Sequence, residues 1–204
     1  LIFNLSVESD VNITDIRLCY TVDRVSFAQV TSEVYIEFMP TTTVDVSWTL
    51  EMVRIGGLPP GSSMEYWWTV EDAKSEKIET IPAQLQFNDT RYSWDSLTEG
   101  KVTIYWYEGG ESFAQELMAA AQQALTKLGQ DTGAELEKPV KLYIYADAQD
   151  LQGAMIYPQE WTGGVAFTRY GIIAIGIAPD NLSWGKRAIA HELAHLVIHQ
   201  MTLN

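Results

Sequence analysis

The sequence predicts two structural units in succession: an all-β sandwich over residues 1–109, then an α+β unit over residues 110–204 whose elements run α-β-α-β-β-α. Three observations predict it. Up to Gly109, apolar residues recur at every second position in short runs punctuated by turn residues, the pattern of half-buried strands. From Gly110 the apolar spacing becomes helical. The change falls on the Gly109-Gly110 step, which reads as a domain boundary.

Among the strands, Ile16, Leu18, Tyr20 and Val22 alternate with polar neighbours, and Val34, Ile36 and Phe38 repeat the pattern. Val44, Val46, Trp48 and Leu50 follow; then, past the Gly56-Gly57-Leu58-Pro59-Pro60-Gly61 turn, come Met64, Tyr66, Trp68 and Val70. Ala83, Leu85 and Phe87, then Val102, Ile104 and Trp106, complete the series. About seven short strands with no helical stretch between them suit an antiparallel sandwich of immunoglobulin or fibronectin type III style, without the Cys-Trp-Cys hallmark of true immunoglobulin domains. In the second unit Ser112 and Gln115 form a capping-box pattern. Phe113, Leu117, Ala120, Ala124, Leu125 and Leu128 mark one apolar face, and Gly129 is placed to end the helix. A strand is expected over Val140–Tyr145 and a short helix near Asp147. A hairpin then runs out along Gly164–Phe167 and back along Ile172–Ile177, and a last helix starts around Ser183, capped by Asp180, Asn181 and Ser183.

With 47% hydrophobic and 20% charged residues among 204, the chain has enough apolar side chain for a sizeable core, and disordered, collagen-like and coiled-coil classes are excluded. Against 13 Lys and Arg stand 27 Asp and Glu, for a net charge of −14, so nucleic acid and anionic membrane surfaces are not expected partners. The longest apolar stretch, Gly171–Ala178, falls well short of the ~20 residues that span a bilayer, so no membrane segment is expected. Cys19 stands alone, which excludes an intrachain disulfide framework, and its place among polar alternates reads as a partly exposed, inert thiol. Trp67 and Trp68 project to opposite faces of one strand, one toward the core. The chain opens on Leu1 without a charged leader and reads as a fragment.

The final helix carries His191-Glu192-Leu193-Ala194-His195. Histidines four apart project from one helix face, separated by ~6 Å along the axis, so their imidazoles can converge on one metal ion. Glu192 lies ~100° around the helix from His191, close to the same groove, where it can hold a water without ligating. Such an arrangement suits amide hydrolysis: the ion lowers the pKa of water to ~7 and polarises a carbonyl. The plainer reading is an amphipathic core helix with polar residues on its wet side. Against that, all three histidines fall between positions 191 and 199 and a β-hairpin precedes the helix.

Residues 110–204 resemble the zincin metallopeptidases, and within them the gluzincin-like peptidase MA domains of bacterial extracytoplasmic proteins. The resemblance is carried by the segment from Gly185 to Gln200, centred on His191-Glu192-Leu193-Ala194-His195, and by the hairpin that includes Gly163-Gly164-Val165-Ala166-Phe167. It implies zinc (Zn2+) as cofactor, His191 and His195 as its ligands, Glu192 as general base, and a peptide or protein as substrate. It also implies an extracytoplasmic location, secreted or membrane-tethered, and an extended substrate bound along Gly164, Val165, Ala166 and Phe167, with the small residues permitting close approach and Phe167 lining a pocket. The Leu58-Pro59-Pro60-Gly61 and Tyr66-Trp67-Trp68 segments look like the sandwich that accompanies such domains.

A catalytic zinc site needs three protein ligands, and in zincins the third lies downstream of the motif. Only nine residues follow His195, so the third ligand is expected beyond residue 204, and residues 1–204 alone are expected to hydrolyse little or nothing. His199 is eight residues and ~12 Å of helix rise from His191, too far to share its ion, and reads as structural on a wet face. The rival class is a non-catalytic binding or adhesion module in which the sandwich does the work.

Overall fold

The computed structural model describes residues 1–25, 29–156 and 163–202. The chain forms two compact units. One holds most of residues 1–86; the other holds residues 87 onward together with 58–62 and a short stretch beginning at Arg24.

The first unit is built on β1 (Ile2–Val22), a 21-residue strand longer than the alternation at Ile16–Val22 predicted. Its first half pairs antiparallel with β3 (Thr41–Thr49), and the register shifts between Glu8 and Ile13. Its second half lies between β2 (Thr31–Tyr35) and β4 (Ser62–Asp72), antiparallel to both. β5 (Lys77–Glu79) and β6 (Ala83–Phe87) pair with β4. The six strands make a single hydrogen-bonded sheet, where separate stacked sheets were expected, because β1 passes continuously through both halves. The predicted faces hold: Ile16, Leu18, Val44, Met64, Trp68 and Val70 are buried and Trp67 is half-buried. Cys19 departs from expectation. Flanked by Glu33 on β2 and Trp67 on β4, it is buried, and burial, then the nearby Glu33, push its thiol pKa up.

In the second unit β7 (Asp95–Glu99) and β8 (Val102–Trp106) join the later strands in a five-stranded sheet of order β10-β11-β9-β8-β7. The division expected at residue 109 is therefore displaced upstream: β8 pairs in parallel with β9 (Val140–Tyr145) and brings β7 with it. Short-range alternation marks a strand but not the sheet it joins. β11 (Ile172–Gly176) pairs in parallel on the other side of β9, and β10 (Gly164–Phe167) closes that side antiparallel to β11.

Helix α1 (Gly110–Thr132) starts from Gly109 with no side-chain cap, so Ser112 lies inside the first turn and Gln115 donates to Glu111, not to a capping partner. The helix passes through Gly129 and ends at Gly133, whose φ of 71° supplies the left-handed cap. Asp147 caps α2 (Ala148–Gly153) by accepting from the Asp150 N–H. Helix α3 (Leu182–Thr202) follows a 3-10 turn at Pro179–Asn181, so Asp180 and Asn181 sit in that turn and Ser183 lies within α3, accepting from Arg187.

Alternation along the central strands sorts the two faces of this sheet. Leu142, Ile144, Ile173 and Ile175 pack with α1 and α3; Tyr143, Tyr145, Ile172 and Ala174 pack with Leu151 of α2 and a group of half-buried aromatics. Strands covered on both faces read as continuous apolar runs, as β11 does. On the aromatic side Asp89 accepts from Arg91 at 2.7 Å and from Tyr145 at 2.9 Å. Burial raises the Asp89 pKa, but hydrogen bonds from the Arg91 side chain and backbone and from Tyr145 outweigh it and hold the carboxyl below its ordinary range. No helix among the described residues is long and apolar enough to cross a membrane.

Candidate metal centre and cleft

Helix α3 buries Gly185, Ile189, Leu193, Leu196, Val197 and Gln200, which form one stripe against α1 and the sheet. At about 100° per residue the rest of the helix follows in angular order. Glu192 and His199, seven residues apart, flank the buried stripe together; His195, Thr202, His191 and Ile198 lie progressively further out. His191 and His195 are accordingly exposed, while Glu192 and His199 are half-buried.

The two imidazoles meet through their Nε2 atoms at 3.2 Å, with the ring planes 87° apart. Two nitrogens bound to one tetrahedral zinc at ~2.05 Å would lie ~3.3 Å apart. The pair therefore fits a shared metal ion, as the i, i+4 spacing implied. Among the described residues no group of three or more His, Cys, Asp or Glu is placed to hold an ion. His199 does not complete such a group.

Among the described residues β10 is the last strand of its sheet, paired with β11 on one side only, and its segment runs alongside α3. Gly164 and Ala166 turn toward the helix layer. A Cβ built on Gly164 would stand 3.4 Å from Glu192 Oε1, and Ala166 packs with the α1–α3 core. A cleft of about 590 Å³ lies between strand and helix, lined by Gly164, Val165, Ala166 and Thr168 on one side and by Glu192, His195, Ile198, His199 and Thr202 on the other. Of the four strand residues expected at a substrate groove, three line it. Phe167 does not: it shares the face of Val165 and packs into the aromatic cluster on the far side of the sheet. Alternation along β10 turns the Phe167 side chain to the face opposite Gly164 and Ala166, the face of Val165, although Val165 still reaches the cleft lining.

The distance of His199 from His191 and its wet-face position left it only a structural or supporting role in the sequence. Its offset of seven residues from Glu192, two helical turns, was the signal that it would share the Glu192 groove. Thr168, Ile198 and Thr202 carried no comparable signal.

In comparison with protein families, residues 120–204 match the Peptidase MA superfamily. The match supports a zincin-like peptidase MA domain over these residues. Comparison with curated proteins gives no match. Among solved structures, a polysaccharide deacetylase from Bacillus cereus is 10% identical with a TM-score of 0.24, the alignment covering 78% of this chain and 53% of that one. A candidate polysaccharide deacetylase from Bacillus anthracis is 8% identical with a TM-score of 0.25, covering 74% of this chain and 52% of that one. The chain thus spans about half the length of these structures. At such scores the likeness carries no argument about fold or chemistry.

Proposed function

We propose that this protein is a zinc-dependent metallopeptidase, with His191 and His195 holding the metal, Glu192 acting as general base and the substrate lying extended along β10. One observation carries the reading. Two imidazole nitrogens converge at chelating distance on a helix where Glu192, the residue after His191, lines a cleft bordered by a strand edge that has no partner among the described residues. The Peptidase MA match over residues 120–204 supports the same class.

When bound, zinc would supply a polarised carbonyl and a water acidic enough to attack it near neutral pH. Glu192 takes the proton from the attacking water and delivers it to the leaving amine nitrogen, so the carboxylate is regenerated in each turnover. The outer edge of β10 offers backbone N–H and C=O groups to an extended peptide, and Gly164 and Ala166 keep the strand low enough for a close approach. His191 and His195 ligate and carry no proton in the reaction.

The test is zinc affinity by competition with a chromophoric chelator, together with turnover of a fluorogenic peptide mixture. His191→Ala and His195→Ala should each weaken zinc binding by at least about tenfold, while Glu192→Gln should keep the metal and lose whatever turnover the chain has. With two protein ligands among the described residues, the chain should lose zinc on dialysis and turn over near background. Stoichiometric, dialysis-resistant zinc with Glu192-dependent turnover would locate a third donor within the chain. Zinc binding indifferent to both histidines would leave the non-catalytic binding module as the better reading.

A further inference from the structure

The cleft extends beyond the metal pair. Past His195 its lining continues for almost two helical turns through Ile198, His199 and Thr202, facing Thr168 at the end of β10. The electrostatics of this end differ from those of the rest of the chain. Residues 164–202 hold two of the chain's 27 carboxylates and three of its 13 Lys and Arg. Those two are Asp180, before α3, and Glu192, the assigned base, so residues 164–179 and 193–202 contain no acidic side chain. Arg169 lies on the 3-10 turn next to Thr168, a turn that packs against α3; it is exposed and makes no ion pair among the described residues. Lys186, by contrast, is committed to Glu116 at 2.5 Å.

We infer that the Thr168–His199 end of the cleft is a specificity subsite for an acidic side chain, or a terminal carboxylate, of a peptide, with His199 as its reader. The inference rests on the metallopeptidase reading and adds a substrate class to it. His199 offers at least one imidazole N–H in either protonation state, and the Thr168 hydroxyl is a second donor. Thr202 donates its own hydroxyl to the His199 carbonyl at 2.8 Å, so its part is to fix the last turn of α3, not to bind substrate. The C-terminus of α3 brings about half a negative charge to this end, less than the full positive charge of Arg169 on the adjoining turn. In a protein of net charge −14, the cleft lining past Glu192 carries no acidic side chain among the described residues, so an acidic group that most of the surface repels meets less repulsion there. A lysine side chain would meet no carboxylate in the cleft lining past Glu192.

The test is equilibrium binding of fluorescently labelled hexapeptides to the zinc-supplemented chain. The peptides are identical except for one scanned position that is Glu, Gln or Lys. Wild type should bind the best-placed Glu peptide at least about fivefold more tightly than its Gln counterpart, with the Lys peptide weakest. Raising NaCl from about 50 to 500 mM should remove most of that preference. His199→Gln should erase the Glu-over-Gln preference while leaving affinity for the Gln peptide unchanged, and Arg169→Gln should reduce the preference and its salt dependence. Equal binding of the three peptides, a preference that survives His199→Gln, or no peptide binding at all would overturn the subsite. An intact His199-dependent preference in a chain whose zinc binding ignores His191 and His195 would uphold the subsite and remove the metallopeptidase reading.

Discussion

Gly185 is the position where the seating of the metal-site helix can be tested most sharply. It lies in the first turn of α3 and is buried. Alanine there should gain about 1 kcal/mol from helix propensity alone. However, a Cβ built on Gly185 falls 3.1 Å from Ile177 Cδ1 and closer still to Ile177 Cγ2, against an optimum of ~3.5–4.0 Å for carbon pairs. Ile177 cannot retreat: it is packed in the core, and its N–H donates to the Tyr145 carbonyl at 2.8 Å. The helix must therefore shift outward. Overpacking of this kind costs ~1–3 kcal/mol, so the net loss after the propensity gain should be about 1 kcal/mol. Both histidines ride on α3, so their mutual distance and zinc affinity should persist, while the gap to β10 widens and any cleft-dependent peptide binding weakens. Ile177→Ala alone should cost ~2–5 kcal/mol by leaving a cavity, and the double variant should cost less than the sum, because the new methyl enters the space vacated. Urea denaturation of the four proteins reads the cycle. A Gly185→Ala chain about 1 kcal/mol more stable than wild type, with strictly additive Ile177→Ala, would refute the close seating of α3 on the end of β11.

Two further outcomes concern what holds the second unit together. The Asp89 carboxyl titrates below its unfolded value, so its contribution to stability is complete above about pH 4 and is lost as pH falls through the folded pKa. Asp89→Asn should therefore cost about 1 kcal/mol at pH 7, a modest figure because Arg91 is partly in solvent, and the gap to wild type should narrow as pH falls below about 4; a gap that does not narrow on acidification would exclude the ionic contribution. Gln200, only 3% exposed, accepts from the Glu137 and Lys138 backbone N–H groups at 2.9 and 3.1 Å, while its own Nε2 is buried without a partner among the described residues. Gln200→Leu removes an acceptor shared by two donors and relieves one orphaned donor, for a net loss of about 1 kcal/mol in denaturant midpoint measurements; a variant at least as stable as wild type would show that the 137–138 turn does not depend on this clamp.

What the sequence determined by itself is local. The spacing of His191 and His195 determined their convergence, because four residues return nearly to the same helix face. The alternation of Leu142 with Tyr143 and of Ile144 with Tyr145 determined a two-sided central strand, and Asp147 determined where α2 begins. The extent of β9 and β10 was legible for the same reason: hairpin arms and strand runs are written in neighbouring residues. Tertiary structure decided what depends on distant partners. β7 and β8 look like further strands of the N-terminal unit until β9, more than thirty residues downstream, pairs with β8 and captures both. Cys19 lies among polar alternates, yet it is buried because strands flank it on both sides. Phe167 was lost to the cleft because its side chain packs into the aromatic cluster on the far side of the sheet, and His199 was gained because β10 settled against the side of α3 that also carries Glu192. Periodicity fixes which residues share a face; which neighbour that face meets depends on long-range pairing, and no short window of sequence contains both partners.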